Sequence, residues 1–400
     1  MKHILIYTRQ FPTPGSLTDG LFTAQLVEAL AKKIDVTVVV PMPTYPWKSI
    51  GFSDEVCADA VGHSIKWEYA GASVYISSFF HLPVVTRPFQ AYLQSYSLLK
   101  LIGNIHKERP IDVINAHFAF PDGVAAEIIG RNLGVPVLVT ALGTDINEYR
   151  NNFLYRYQIS KHLSSAGGVS GKSLALVDSL VELGVSRERV YHTPNGVDLE
   201  RFSANGLCQF EAKKCLSLDK CVKHMLFVGR LHDVKGLTFL LPAIQSLKAK
   251  GALTFKLVIV GSGSLKVWIE KYIEDNSLSE NVILVGEQPH SKLQLWYAAV
   301  DGFCLPSKAE GMPNALIEAL ASGLPVTASA VGGVPELVNE FNGYLVDAGD
   351  IESLAMSIES MMGRSWSRDE VMSSACFRSW EESAGNYLQI YERLIERGLT

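Results

Sequence analysis

The sequence predicts an α/β fold of two doubly wound parallel-sheet domains, and three observations carry that prediction. Short β-branched runs alternate with helical patterns along the chain. The strand-like runs are apolar throughout rather than every second residue, as expected of sheets covered by helices on both faces. The rhythm fails once, between residues 198 and 222, and then resumes. The 400 residues leave room for two to three domains at about 150 residues each.

In chain order, residues 4–7 read as the first strand. A helix follows with Phe22, Leu26 and Leu30 on one face, then a strand at 36–40. Further strands are expected at 112–116, 136–140, 168–170 and 190–193, each followed by a polar or glycine turn and usually a helix, and all in one parallel sheet. The interruption contains Asn205-Gly206, polar runs and three cysteines, and marks the domain junction. The second series opens with a strand at 224–228. Its helix carries Leu237, Leu240, Leu241 and Ile244, with a kink expected at Pro242. Strands at 255–260, 281–285, 302–305, 325–328 and 344–346 complete it. Near the end, Trp380, Ala384, Tyr387, Tyr391 and Leu394 recur at three-to-four spacing, which predicts one long amphipathic helix over 377–397 with Gly398 as its stop. The expected domains are therefore 1–200, 201–376 and a returning helix at 377–400. Ligands are expected beyond the carboxyl ends of the strands, in a cleft that the two domains face.

Composition narrows the function. Hydrophobic residues at 48% and charged ones at 19% exclude a disordered chain. Lys+Arg 36 against Asp+Glu 41 gives a net charge of −5, so no global positive field would hold nucleic acid. The six cysteines, Cys57, Cys208, Cys215, Cys221, Cys304 and Cys376, are scattered without a paired framework, which fits a reducing cytoplasm. The opening residues read as a strand rather than a signal peptide, and no apolar run reaches transmembrane length. Surface attachment to a membrane remains open.

The richest segment runs from Glu310 to Ala321, after the strand ending at Leu305. Pro313 suits the start of a helix near Asn314, so Glu318 lies about one turn in. The amides of Gly311, Met312, Asn314 and Ala315, on either side of Pro313, would then face outward as an anion site, with Glu310 on the loop and Glu318 close behind. A carboxylate there suits sugar hydroxyls, because it only accepts hydrogen bonds. A second strand end and turn, residues 227–236, bears Arg230 and Lys235. These read either as solvated cations or as a pair converging on a diphosphate that gains charge as it leaves. In the first half, His117 ends a strand at the expected ligand edge, as a substrate partner or a structural histidine. Gly20 at a helix entry marks either a close ligand approach or a tight turn.

Other patterns are weaker. Ser170-Gly171-Lys172-Ser173 fails the P-loop spacing, because Ala166 stands where a glycine belongs. Gly261-Ser262-Gly263 lacks the third glycine of a dinucleotide fingerprint, since Lys266 occupies it. No acidic triplet or His/Cys cluster suggests a metal, and no cofactor is expected. The stripe Phe89, Tyr92, Tyr96, Leu99 and Ile102, with Arg87, Lys100 and Lys107 nearby, reads either as core or as a helix touching a membrane or lipid tail.

With these residues laid out, the chain resembles the retaining glycosyltransferases of family 4, of GT-B fold, over nearly its whole length. Glu310 to Glu318 is similar to that family's Glu-x7-Glu signature. Residues 319–326 and Gly332-Gly333-Val334-Pro335-Glu336 resemble the segments that come after that signature in the family, and Asn195-Gly196-Val197-Asp198 resembles the signature near the hinge. The resemblance implies that Arg230 and Lys235 bind the donor diphosphate and Glu310 faces the donor sugar. It likewise implies that Glu318 holds the ribose, Val285 and Gly286 flank the base, and Gly20 and His117 lie at the donor site. At Ala141-Leu142-Gly143-Thr144-Asp145 the family often has His or Arg where Leu142 stands, a departure among acceptor-side contacts that include Asp145. Residues 116–123 look closest to bacterial enzymes of cell-surface and exopolysaccharide assembly. The implied reaction moves a hexose from a nucleotide diphosphate sugar, a UDP or GDP sugar, to a glycan or lipid-linked glycan, with retained configuration and without a metal. The departing phosphate would take the acceptor's proton. The alternatives are a sugar-nucleotide-binding scaffold without turnover and an NAD-dependent dehydrogenase.

Overall fold

The computed structural model describes residues 2–16, 19–44, 64–82, 85–149, 152–203 and 208–398. Leu17 and Thr18 of the early loop, Cys57, and Asn205-Gly206 of the expected junction lie outside the described residues. The chain divides into two units, Met1–Gly196 together with Trp380–Thr400, and Val197–Ser379.

The first unit is built on β1 (His3–Tyr7), β2 (Asp35–Thr44), β3 (Ser64–Tyr69), β4 (Ala72–Phe80), β5 (Val113–His117), β6 (Val137–Ala141), β7 (Gly168–Gly171) and β8 (Val190–His192), in sheet order β3-β4-β2-β1-β5-β6-β7-β8. All neighbours are parallel except the β3–β4 hairpin. Both sheet faces are buried, and β1 shows how: Ile4 and Ile6 enter one apolar cluster while Leu5 and Tyr7 enter the other. A strand serving two cores has no polar face to display, hence its unbroken apolar run. The principal helices are α1 (Leu21–Ala31), α2 (Gln90–Glu108), α3 (Val124–Leu133), α4 (Thr144–Asn147), α5 (Phe153–Ser165) and α6 (Leu174–Glu182).

The second unit repeats the plan with β9 (Lys223–Val228), β10 (Phe255–Val260), β11 (Val282–Gly286), β12 (Gly302–Leu305), β13 (Val326–Ser329) and β14 (Gly343–Val346), all parallel in the order β11-β10-β9-β12-β13-β14. Met225 and Phe227 of β9 pack into one core, Leu226 and Val228 into the other. Around it lie α7 (Leu237–Ala249), α8 (Lys266–Asp275), α9 (His290–Ala299), α10 (Asn314–Ala321) and α11 (Ile351–Gly363).

The structure adds one hairpin to the elements expected from sequence. In this β3–β4 hairpin Ala70 and Gly71 form the two-residue turn, with φ of +47° and +85°. Both central residues have positive φ, as a type I′ turn requires, but Ala-Gly is a weaker written signal than Asn-Gly. Pro242 lies inside α7, as its place in the sequence led us to expect. The missing amide removes one hydrogen bond there, and the apolar face of Leu237, Leu240, Leu241 and Ile244, all buried, holds the helix to the sheet.

The last helix, α12 (Trp380–Gly398), belongs to the first unit. Its buried side is Trp380, Ala384, Tyr387, Tyr391 and Leu394 with Ser383 and Ile390. Besides apolar contact it has a polar anchor: buried Asn115 of β5 donates from Nδ2 to the Tyr391 hydroxyl at 2.7 Å, and its Oδ1 accepts from Thr140 Oγ1 at 3.0 Å. Tyr391→Phe strands that amide donor in the core, so denaturant unfolding is expected to show a loss of about 1–3 kcal/mol. An unchanged unfolding midpoint would remove Asn115 from the docking of this helix.

Candidate functional site

In the second unit, the loops leaving the carboxyl ends of β9, β10, β12 and β13 meet backbone to backbone. Glycines make this contact. Gly236 has φ +71°, and a Cβ there would lie 1.7 Å from the Pro306 carbonyl oxygen. A Cβ on Gly332 would lie 2.0 Å from the Glu310 carbonyl oxygen, and one on Gly261 1.9 Å from that of Gly229. Amide bonds tie the same loops: Leu231 N donates to Ser262 O at 2.8 Å, Lys308 N to Val234 O at 2.8 Å, and Gly333 N to Gly311 O at 2.9 Å. The pair Gly261 and Gly263 is therefore a packing device for the loop that carries Arg230.

This framework brings Lys235 and Glu310 together. Lys235 Nζ lies 2.7 Å from Glu310 Oε1, which also accepts from Ser307 Oγ at 2.6 Å. The ammonium is partly exposed and the carboxylate nearly buried, at 23% and 8%. Arg230 is exposed on the same turn as Lys235. Next to Glu310, Met312 is buried, and α10 starts at Asn314 with Pro313 as its extended cap residue. The first-turn amides at Asn314 and Ala315, with those of Gly311 and Met312 before them, form the positive end of this helix.

Glu318 is buried one turn further on, and its two oxygens are held separately. His290 Nε2 lies 2.7 Å from Oε1, and the Tyr297 hydroxyl donates to Oε2 at 2.9 Å. Burial, then the adjacent carboxylate, hold the Tyr297 hydroxyl protonated far above its ordinary range. Phe202 packs its ring against both His290 and Tyr297, at 5.6 and 5.7 Å. His290 and Tyr297 are absent from the sequence reading. Their seven-residue spacing on one helix face was the available signal. Half-buried Val285 and Gly286, with φ +85° and open space around a virtual Cβ, close β11.

In the first unit, His117 ends β5, is 1% exposed, and has no partner for Nε2 among the described residues. Its ring stacks on Tyr387 of α12, centroids 6.2 Å apart and 18° between planes. Burial first, then the charge of Lys172, push the imidazole well below its ordinary range, so it is neutral at pH 7. Lys172 Nζ donates to the Tyr387 hydroxyl at 3.0 Å, and that hydroxyl donates to Thr193 Oγ1 at 3.1 Å. Burial raises the Tyr387 hydroxyl, but the ammonium and these hydrogen bonds outweigh it and leave it below the usual tyrosine range. The Lys172 that fails as a P-loop lysine is thus the buried cation behind His117.

Asp145 is fully buried at the start of α4, and its carboxylate accepts the amides of Ala119 at 2.5 Å, Gly143 at 2.7 Å and Leu142 at 3.1 Å. It clasps the loops after β5 and β6. Beside it, Asp122 is pushed up to about 6 by burial, against the pull of the Arg9 guanidinium at 3.2 Å and the Arg9 amide at 2.9 Å. Gly20 caps α1 with φ +65°, where a Cβ would lie 2.2 Å from the Gln10 carbonyl. It is a close backbone approach in its own right.

Two parallel-sheet Rossmann-like units with a final helix belonging to the first are the GT-B architecture of glycosyltransferases. The Glycosyl transferases group 1 family matches residues 209–375, and Glycosyltransferase Family 4 matches residues 20–201. The chain belongs to this family of glycosyltransferases. It is 31% identical over 309 residues to D-inositol 3-phosphate glycosyltransferase 1 of Catenulispora acidiphila, spanning 72% of this chain and 73% of that protein. It is 29% identical over 365 residues to TuaC of Bacillus subtilis, a protein named for teichuronic acid biosynthesis, spanning 89% of this chain and 88% of the relative. Among solved structures, sucrose-phosphate synthase from Thermosynechococcus elongatus shares the fold with a TM-score of 0.76 at 21% identity, covering 99% of this chain and 100% of that one.

Two outcomes are expected. Gly236→Ala forces its Cβ onto Pro306 in a left-handed backbone, and should lower the free energy of unfolding, read by denaturant titration, by more than the ~1–2 kcal/mol that the backbone conformation alone costs. Asp122 titrates near 6 folded and about 3.9 unfolded, so the folded state holds its proton more tightly, and this favourable contribution is lost as pH rises through 4 to 6. Stability of the wild type relative to Asp122→Asn should fall by roughly 3 kcal/mol across that window and stay level above it. Parallel melting profiles from pH 4 to 7 would show the carboxyl to be unperturbed.

Proposed function

We propose that this glycosyltransferase moves a hexose from a nucleotide diphosphate sugar to a glycan or lipid-linked glycan, with retained anomeric configuration and without a metal, in polysaccharide biosynthesis of the cell envelope. The observation that carries this is the placement of Lys235, Glu310 and the start of α10 around one point, with Glu318 clamped one turn behind. As the glycosidic bond breaks, the electron pair goes to the β-phosphate. Arg230, Lys235 and the amides from Gly311 to Ala315 stabilise that charge, supplying positive potential without an ion. Before donor binds, Glu310 neutralises Lys235, and the diphosphate takes over that cation while Glu310 turns to the sugar.

Glu318 keeps acceptor positions for ribose hydroxyls, because a carboxylate has about four and His290 and Tyr297 use two. Val285 and Gly286 flank the base. In the first unit, neutral His117 offers its unpaired Nε2 to the donor sugar, the close approach of Gly20 to Gln10 fixes the entry of α1, and Asp145 shapes the acceptor-side loop. The acceptor hydroxyl attacks from the face the leaving group departs, and gives its proton to the departing phosphate. The name of the Bacillus subtilis relative supports the polymer assignment, and the unpaired cysteines among the described residues fit a reducing cytoplasm.

Donor hydrolysis and thermal stabilisation across UDP and GDP sugars, with EDTA present, test the reading. One nucleotide should stabilise the protein selectively and be hydrolysed slowly. Arg230→Ala removes a preorganised donor of roughly 2.7–4 kcal/mol to the transition state, so turnover should fall about a hundredfold or more. Glu318→Ala should mainly weaken nucleotide binding, and Glu310→Ala should mainly impair transfer. A loss of tenfold or less in Arg230→Ala, or equal effects of the two glutamates on binding and rate, would contradict the roles assigned. Binding without hydrolysis or transfer would instead favour a scaffold.

A further inference from the structure

The stripe of aromatics on α2 splits in the structure. Ile102 and Leu98 are core, while Phe89, Tyr92 and Tyr96 face water at 61%, 41% and 87% exposure. Tyr92 and Tyr96 lie one turn apart on α2, and Phe89 stands at its N-terminal cap, three residues before Tyr92. A second set stands on α5, where Phe153, Leu154 and Tyr157 are 80%, 56% and 58% exposed, although Ile159 and Leu163 already supply its core contacts. The two sets lie together. Gln158 Nε2 of α5 donates to the Pro88 carbonyl at 3.0 Å, and the rings of Tyr92 and His162 are 6.1 Å apart. Large apolar side chains scattered singly on a surface need no explanation, but a contiguous group on two adjoining helices does.

The charge around them is mostly positive. Residues 85–108 and 152–166 contain five Lys or Arg against Glu108 at the end of α2, in a chain whose net charge is −5. Arg87, Lys100, Arg156 and Lys161 are exposed, and Lys161 Nζ lies 5.9 Å over the Tyr157 ring. Aromatic and leucine side chains bordered by Arg87, Lys100, Arg156 and Lys161, against which the carboxylate of Glu148 near Arg87 is a minority charge, complement the surface of an anionic bilayer: the rings enter the headgroup boundary and the cations meet lipid phosphates. An acidic protein partner would match the cations but not so many rings standing free.

The patch also leads inward. Arg87 hydrogen-bonds Tyr149; Tyr149 packs on Tyr155 at 5.0 Å; and both pack on Phe120, at 5.4 and 5.0 Å. Phe120 lies three residues after His117, beyond the carboxyl end of β5. We infer that the exposed faces of α2 and α5 form a docking surface for an anionic membrane, which brings the acceptor of a lipid-linked glycan to the carboxyl edge of the first unit's sheet. The purpose rests on the lipid-linked branch of the proposed function, whereas docking itself does not depend on catalysis.

The test is co-sedimentation of the full chain with vesicles of phosphatidylcholine alone and of phosphatidylcholine mixed with phosphatidylglycerol in equal parts. The wild type should pellet with the anionic vesicles and bind neutral ones at least about tenfold more weakly, with binding falling as salt rises. Phe89→Ser/Tyr96→Ser/Phe153→Ser and Lys100→Gln/Arg156→Gln/Lys161→Gln should each weaken anionic binding by about tenfold or more, with unchanged melting temperature and unchanged stabilisation by nucleotide sugar. Wild-type protein that stays in the supernatant, or equal pelleting of the aromatic variant, would overturn the inference. So would a concentration-dependent dimer that the aromatic variant abolishes, since the face would then belong to a second copy. Nucleotide stabilisation, read on the same samples, reports separately on the donor site.

Discussion

Residue 236 can have no side chain, because the Pro306 carbonyl oxygen occupies the place where a Cβ would stand, and the loop geometry of the candidate site in the second unit depends on that contact. It presses the turn after β9 against the loop after β12, setting Lys235 beside Glu310. Gly332 against Glu310 and Gly261 against Gly229 lock the next two loops in the same way. Glycine costs backbone entropy, yet only glycine permits main chains this close. A charged pair held on such a base keeps its geometry without long side chains having to be ordered first, as stabilising a developing charge requires.

The buried carboxylates show how environment separates structural from chemical use. Asp145 accepts the backbone amides of Ala119, Leu142, Gly143 and Ile146 and is consumed by holding loops. Asp122 is less well satisfied, and burial drives it toward the protonated form despite Arg9. Glu318 is gripped from two sides by His290 and Tyr297, which fixes its plane while leaving acceptor positions open. Residue type and burial alone do not distinguish the three; the direction and number of their donors do.

The chain's last helix completes the first unit's polar interior. Tyr387 and Tyr391 come from the far end of the sequence to meet His117 and Asn115 on one strand. Lys172 sits behind them with its ammonium on the Tyr387 hydroxyl, and burial first, then that ammonium, keep the imidazole neutral. A neutral ring beside a buried ammonium avoids a second buried charge. On the outer side of the same unit, α2 and α5 satisfy the core with one face each, so their other faces are free to be aromatic.

The two-sheet plan was legible in the sequence because parallel strands buried on both faces must be apolar throughout, and strands such as β10 and β12 fall at the residues expected from that rule. Helix α12 was legible from the three-to-four spacing of Trp380 to Leu394. Glu310, Glu318, Arg230 and Lys235 stood out because charged groups at strand ends and helix starts are local features. The β3–β4 hairpin was missed, since Ala-Gly is a faint turn signal and β3 is half-exposed. His290 and Tyr297 were missed, and the contacts of Lys172 and Tyr387 with each other and with His117 were not read, because each meets a residue distant in sequence. Sequence by itself determined the alternation, the apolar faces and the residue types at each turn, all of which depend on neighbours within a helix or strand. Only the tertiary structure decided which carboxylate clamps a loop and which remains available, and which aromatics face water, because those outcomes depend on donors and surfaces that folding brings from remote segments.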